Sequence, residues 1–160
     1  KSWTELGGVE AKRFGGTARY RLEFDAPTAK ADDWLLDLGD VRESARVKLN
    51  GREVATAWSI PYQVRVGEFL KPGRNTLELE VTNLAANRIR DMDGANDPKP
   101  DANGVLPAGA SAPRKIEWKI MREINFVDIN YKPFDASGWA IMPSGLLGPV
   151  KLVPLKALTF

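Results

Sequence analysis

Ser44-Ala45-Arg46-Val47-Lys48-Leu49-Asn50-Gly51-Arg52-Glu53-Val54-Ala55-Thr56-Ala57 is the stretch whose reading decides the fold. Apolar and polar residues alternate from Ser44 to Leu49, so Ala45, Val47 and Leu49 share one face of a strand. Asn50-Gly51 follows. Both residues accept positive φ, which a type I′ turn needs, and the pair predicts a tight hairpin. Arg52 to Ala57 is then the returning strand.

Working outward, the same period recurs. Thr17 to Phe24 puts Ala18, Tyr20, Leu22 and Phe24 on one face and Arg19, Arg21 and Glu23 on the other. Trp34 to Leu38 is more uniformly apolar, as a buried strand should be. Gly39-Asp40 breaks it, and Asp37 is expected to brace the Gly39 turn. Tyr62 to Val66 alternates again, and a short helical turn is expected at Val66 to Leu70. Pro72-Gly73 marks a turn. Thr76 to Thr82 sends Leu77, Leu79 and Val81 inward. Short strands with regular punctuation predict an all-β sandwich or barrel.

The second half is less regular. Asp91 to Pro113 is rich in Gly, Pro, Ala, Asp and Asn and reads as one long loop insertion. Ile116 to Ile124 fits a helix face and a strand equally well. Asn125 to Asn130, Gly138 to Met142 and Gly148 to Val153 are read as strands.

The composition narrows the chemistry. The chain has 160 residues, no histidine and no cysteine, and a formal charge of +2. Without His there is no Ser-His-Asp or Cys-His nucleophile. Without both, structural zinc, blue copper, thiolate iron–sulfur and His-haem sites are excluded. The near-balanced charge argues against nucleic acid as a partner. No apolar run approaches the ~20 residues of a membrane helix, and no signal peptide opens the chain.

By Thr82 the pattern is specific. Leu36-Asp37-Leu38-Gly39-Asp40-Val41, Ala45-x-Val47-x-Leu49-Asn50-Gly51, Pro61-Tyr62, Leu70-Lys71-Pro72-Gly73-x-Asn75-x-Leu77 and Val81-Thr82-Asn83 follow in order. This resembles the galactose-binding-like jelly roll of the glycoside hydrolase family 2 sugar-binding domain. Trp58, Asn83-Leu84-x-x-Asn87-Arg88 and Pro143-Ser144-Gly145-Leu146-Leu147-Gly148-Pro149-Val150 are similar to the C-terminal β-sandwich of family 106 α-L-rhamnosidases.

The resemblance implies a single β-sandwich jelly roll over residues 1–160 with its long loop at 91–113. It implies a fragment of a larger multidomain glycoside hydrolase whose catalytic carboxylates sit on another domain of the same polypeptide. The expected role is non-catalytic: carbohydrate binding, as a monomer, in an extracellular or periplasmic setting. A purely structural sandwich with no ligand, packed against a catalytic barrel, is the rival, and intrinsic carboxylate-dependent glycosidase activity is a third reading.

Sugar recognition needs an aromatic face and planar polar groups that satisfy vicinal hydroxyls. Trp58, Tyr62, Trp118, Tyr131 and Trp139 supply the aromatics, and Asn87, Arg88, Arg90, Asp91 and Asp93 supply polar partners. The expected site is Trp58, Tyr62, Asn87, Arg88, Asp91, Trp118 and Trp139. The plainer reading keeps the tryptophans as packing and pairs Arg88 with an acid such as Asp91 or Asp128. No cofactor is required. The oxygen-rich run Asp91, Asp93, Asn96 and Asp97 is a candidate calcium site, although its spacing fails the EF-hand pattern. Asp37 and Asp40 are not singled out as an acid/base pair: their odd separation sends them to opposite faces if the strand continues.

Overall fold

A computed structural model describes residues 1–94, 101–103, 105, 108 and 135–158. The chain divides into two compact units. The first comprises Lys1–Leu6, Gly16–Leu84 and Pro143–Phe160, and the second comprises Gly7–Gly15 and Ala85–Met142.

The first unit is the β-sandwich. Its strands are β1 (Thr17–Asp25), β2 (Asp33–Asp37), β3 (Asp40–Arg42), β4 (Ser44–Leu49), β5 (Arg52–Ala57), β6 (Gln63–Arg65), β7 (Arg74–Thr82), β8 (Gly145–Gly148) and β9 (Lys151–Leu155). They form a four-stranded sheet in the order β1-β7-β4-β5, a three-stranded sheet β6-β2-β9 and a two-stranded sheet β3-β8. Every pairing is antiparallel.

The alternation read from sequence sets the core. Ala45, Val47 and Leu49 of β4 and Leu77, Leu79 and Val81 of β7 are buried with Leu36, Leu38, Val41, Val64 and Val66 in one apolar cluster. Each large aliphatic side chain so buried contributes about 1.5–3 kcal/mol. Asn50 and Gly51 both have positive φ, +54° and +79°, as the type I′ hairpin requires. The short helical turn lies at Gly67–Phe69. Trp34 packs partly buried against the core.

Leu22 shares the inward face with its register partner Leu77, as read, but is 56% exposed because β1 is an edge strand. Two expectations change. Gly138 to Met142 is not a strand. Its backbone is held by side chains: Asn87 Nδ2 donates to Met142 O and Asn87 Oδ1 accepts from Met142 N, both at 2.8 Å. Arg90 Nε donates to Trp139 O at 2.6 Å. The closing strands are β8 and β9, the latter overlapping the strand read at Gly148 to Val153. Asp91, placed in sequence at the start of the long loop, lies in a helix. The stretches Ile116 to Ile124 and Asn125 to Asn130 lie outside the described residues.

Two further features went unread. A 3-10 turn at Trp3–Glu5 is fixed to Ser144: Trp3 N donates to Ser144 O at 3.0 Å, and Ser144 N donates to Ser2 Oγ at 2.8 Å. Beside it, Gly145 has φ +104°, and a Cβ there would lie 2.6 Å from Tyr20 Oη and 2.8 Å from the Trp3 ring. The Ser144-Gly145 pair is thus required by packing. The second unit contains α1 (Gly8–Arg13) and α2 (Ala86–Met92).

Candidate functional site

In the first unit, the face of the four-stranded sheet that looks away from the core is wholly polar, as one face of an antiparallel sheet can be. Register lays its residues out in rows. Thr17, Thr82 and Ser44 form one row; Arg19, Glu80, Arg46 and Thr56 form the next; Arg21, Glu78, Lys48 and Glu53 form a third. Thr17 Oγ1 and Thr82 Oγ1 are 2.7 Å apart. Glu80 accepts from Arg19 Nη2 at 2.9 Å, lies 3.4 Å from Arg46 Nη1 and 3.6 Å from Lys48 Nζ. The Arg19 hydrogen bond, with Lys48 and Arg46 nearby, holds the Glu80 carboxyl below the usual range. Thr17, Ser44, Arg46, Thr56, Glu80 and Thr82 line a hollow of about 130 Å³ on this face.

Trp58 follows β5 in the same unit and is 76% exposed. The ladder between β4 and β5 ends at Ala45 and Ala57, and Trp58 is the next residue, one beyond the strand. Ile60, in the same loop, is also exposed.

Tyr62 is different. It is buried in the core cluster, and burial raises its phenol pKa. Its ring packs the sandwich and has no free face for a pyranose. Asp37 accepts from Gly39 N at 2.8 Å and from Gln63 Nε2 at 3.0 Å. These bonds, Gly39 first, lower its pKa. Asp40 is held by Arg42 Nε at 2.8 Å. A glycosidase acid needs a raised pKa, and Asp37 has the opposite.

In the second unit, Asn87 and Asp91 are the buried residues of α2. Asn87 spends its amide on the Met142 backbone. Asp91 Oδ2 receives Arg13 Nη1 at 3.3 Å and Arg88 Nη1 at 3.2 Å. Arg88 therefore does pair with Asp91. It also lines an open hollow of about 250 Å³ with Glu10, Arg13, Phe14 and Gly15. Trp139 is 41% exposed, with its N–H on Ala136 O at 3.0 Å. Trp118, Tyr131 and Asp128 lie outside the described residues.

Of the calcium candidates, Asp91 is occupied by the two guanidiniums, and Asp93 Oδ2 accepts from Ala136 N at 2.5 Å. Asn96 and Asp97 lie outside the described residues. Among the described residues no three His, Cys, Asp or Glu side chains converge as a metal site would need.

Sequence reasoning missed Arg13, Phe14 and the sheet-face row. The signal for the row was present: Ser44, Arg46 and Lys48 alternate with Ala45, Val47 and Leu49, so one face of the strand carries all three polar residues. For Arg13 and Phe14 no local pattern existed.

The described geometry, a polar-faced sheet backed by a core of alternating aliphatics, has a family counterpart. Residues 12–120 match the model described as "Glycosyl hydrolase 2 galactose-binding domain-like". The chain belongs to this galactose-binding-like family. The domain is also 35% identical, over 95% of its length, to the protein of Formosa agariphila named "Putative beta-glucuronidase", of which it covers 13%. A solved rhamnosidase from Novosphingobium sp. PP1Y aligns over 95% of the chain and 12% of its own, with TM-score 0.65 and 29% identity. A β-glucuronidase from Ruminococcus gnavus aligns over 96% of the chain and 22% of its own, at TM-score 0.54 and 18% identity, a likeness of fold. The chain thus spans about one eighth of the first two relatives. Among the described residues no helix is long and apolar enough to cross a membrane.

Proposed function

We propose that this galactose-binding-like domain is a non-catalytic carbohydrate-binding accessory of a glycoside hydrolase that attacks plant or microbial polysaccharide outside the cytoplasm. The observation that carries the reading is Trp58: a large aromatic that is three-quarters exposed on a loop next to a polar sheet face. Exposed aromatic faces stack on the C–H side of sugar rings, and neighbouring polar groups take the hydroxyls. Holding a catalytic domain near its polymer raises the effective substrate concentration, so a weak site suffices. Family membership and the likeness to a rhamnosidase support the setting. The lowered pKa of Asp37 and the pairing of Asp40 favour a non-catalytic role.

A second reading is a sandwich that only packs against a catalytic domain. The exposed Trp58 and Ile60 on one loop favour it, since adjacent apolar residues suit a protein contact.

The test is affinity electrophoresis of the 160-residue chain in gels containing soluble plant polysaccharides, beside an assay with p-nitrophenyl α-L-rhamnoside. Retardation without hydrolysis supports the proposal. Absence of retardation in every gel supports the packing reading. Turnover lost on changing one carboxylate refutes both.

A further inference from the structure

The hollow on the polar face of the four-stranded sheet has three properties that belong together. Its lining carries four hydroxyls (Thr17, Ser44, Thr56, Thr82), one guanidinium (Arg46) and one carboxylate (Glu80). Hydroxyls donate or accept, a guanidinium only donates and an ionised carboxylate only accepts. That mixture matches a ligand whose own groups are hydroxyls. All six sit on strand positions, where backbone pairing fixes them more tightly than a loop does.

The second property is unused capacity. Glu80 Oε1 takes the short bond from Arg19 at 2.9 Å, but Oε2 has only Arg46 Nη1 at 3.4 Å, long for an N–H···O bond. Two adjacent hydroxyls of a sugar can enter this loose arm, one donating to Oε2 and the next accepting from Arg46. The third property is size and charge. A cavity of about 130 Å³ has room for roughly four waters, the scale of one ring edge. Within the lining one carboxylate faces one guanidinium, which suits an uncharged diol, while Arg19 and Lys48 stand on Glu80 from outside the lining.

We infer that the Arg46–Glu80 hollow binds the vicinal diol of one neutral pyranose residue, with the exposed Trp58, two residues after the lining Thr56 and one beyond the end of β5, as its aromatic wall. The inference rests on the carbohydrate-binding reading and gives it a location: the sheet face, not the Arg88 cluster of the second unit.

The experiment is affinity electrophoresis of the full chain in gels of neutral polymers (galactan, arabinogalactan, xyloglucan) and of polygalacturonate. The variants are Glu80→Gln, the conservative Thr56→Val, Arg88→Gln, and Arg65→Gln on the other sheet as control. Thermal melts confirm that each is folded. At least tenfold weaker retention by neutral polymer in Glu80→Gln and several-fold weaker in Thr56→Val, with Arg65→Gln unchanged, is the expected result. Should Glu80→Gln not fold, Thr56→Val alone decides. Retention lost only in Arg88→Gln, or retention by polygalacturonate alone, overturns this location and ligand while leaving carbohydrate binding intact. No retention of the unmodified chain in any gel overturns the carbohydrate reading itself.

Discussion

Asn50 and Asn75 join their side chains between two turns, with Asn50 Nδ2 donating to Asn75 Oδ1 at 2.8 Å. Neither amide has an N–H left over. Asn75 Oδ1 also accepts from Lys71 N, and its Nδ2 donates to Lys71 O and Gly73 O, each at 2.9 Å. Asn50 Nδ2 also reaches Phe69 O, and its Oδ1 accepts from Thr76 N. One fully satisfied network thus ties the β4–β5 hairpin to the turn that opens β7.

Asn75 is 1% exposed, so its loss strands several buried backbone groups. Asn75→Ala is expected to cost about 3 kcal/mol. Asn75→Asp is expected to be no milder, since an acceptor would then face two carbonyls. Urea denaturation measures both, and a loss below about 0.5 kcal/mol, the range of an ordinary surface change, would refute the network's importance.

Gly51 at φ +79° sits in open space, so only backbone strain opposes a side chain there. Gly51→Val should destabilise by about 1–3 kcal/mol. Gly145→Ala adds a collision with the Trp3 ring and Tyr20 and should cost more. Thermal melts giving the reverse order would contradict the packing at Gly145.

Asp37 is more acidic folded than unfolded, because Gly39 N–H and Gln63 bind its charged form. A lowered folded pKa contributes stability above the unfolded value of about 4 and loses it as pH falls through the folded value. Asp37→Asn should therefore be less stable than the parent at pH 7 and approach it by pH ~2. Melting temperatures across that range check this, and a gap that stays constant with pH would disprove the linkage.

Trp58 makes little contribution to the core. Trp58→Ala should shift stability by no more than about 0.5 kcal/mol and abolish polysaccharide retention. A large drop in melting temperature would assign Trp58 to packing.

Asp91 is a buried carboxylate shared by two arginines. Asp91→Ala should cost about 3 kcal/mol within its own unit. Hydrogen exchange should quicken across Gly8–Arg13 and Ala86–Met92. Unchanged protection there would show that the helices do not depend on it.

The sandwich was legible in the sequence where one strand face is wet and the other dry. β4 and β7 are such strands, and their inward residues were read correctly. α2 was not legible because its buried stripe, Asn87 and Asp91 at i and i+4, is polar. A search for apolar periodicity is blind to it. Gly138 to Met142 misled for the converse reason: apolar residues stand in a segment whose backbone partners are side chains. The candidate site divided the same way. Tyr62 looked available at a strand end, but the alternation that buries Val64 and Val66 takes it inward too.

The register of β2 has a consequence for synthesis. β2 is the middle strand of its sheet, paired on one side with β6 and on the other from Asp33 to Leu155 of β9. A ribosome delivers β2 and β6 well before β9. Until Lys151–Leu155 emerge, one flank of an apolar strand stays open to other chains. Ser2 waits as long for Ser144. The domain is therefore most prone to aggregate in the interval before β9 leaves the tunnel, and truncation ahead of Lys151 converts that interval into a permanent state.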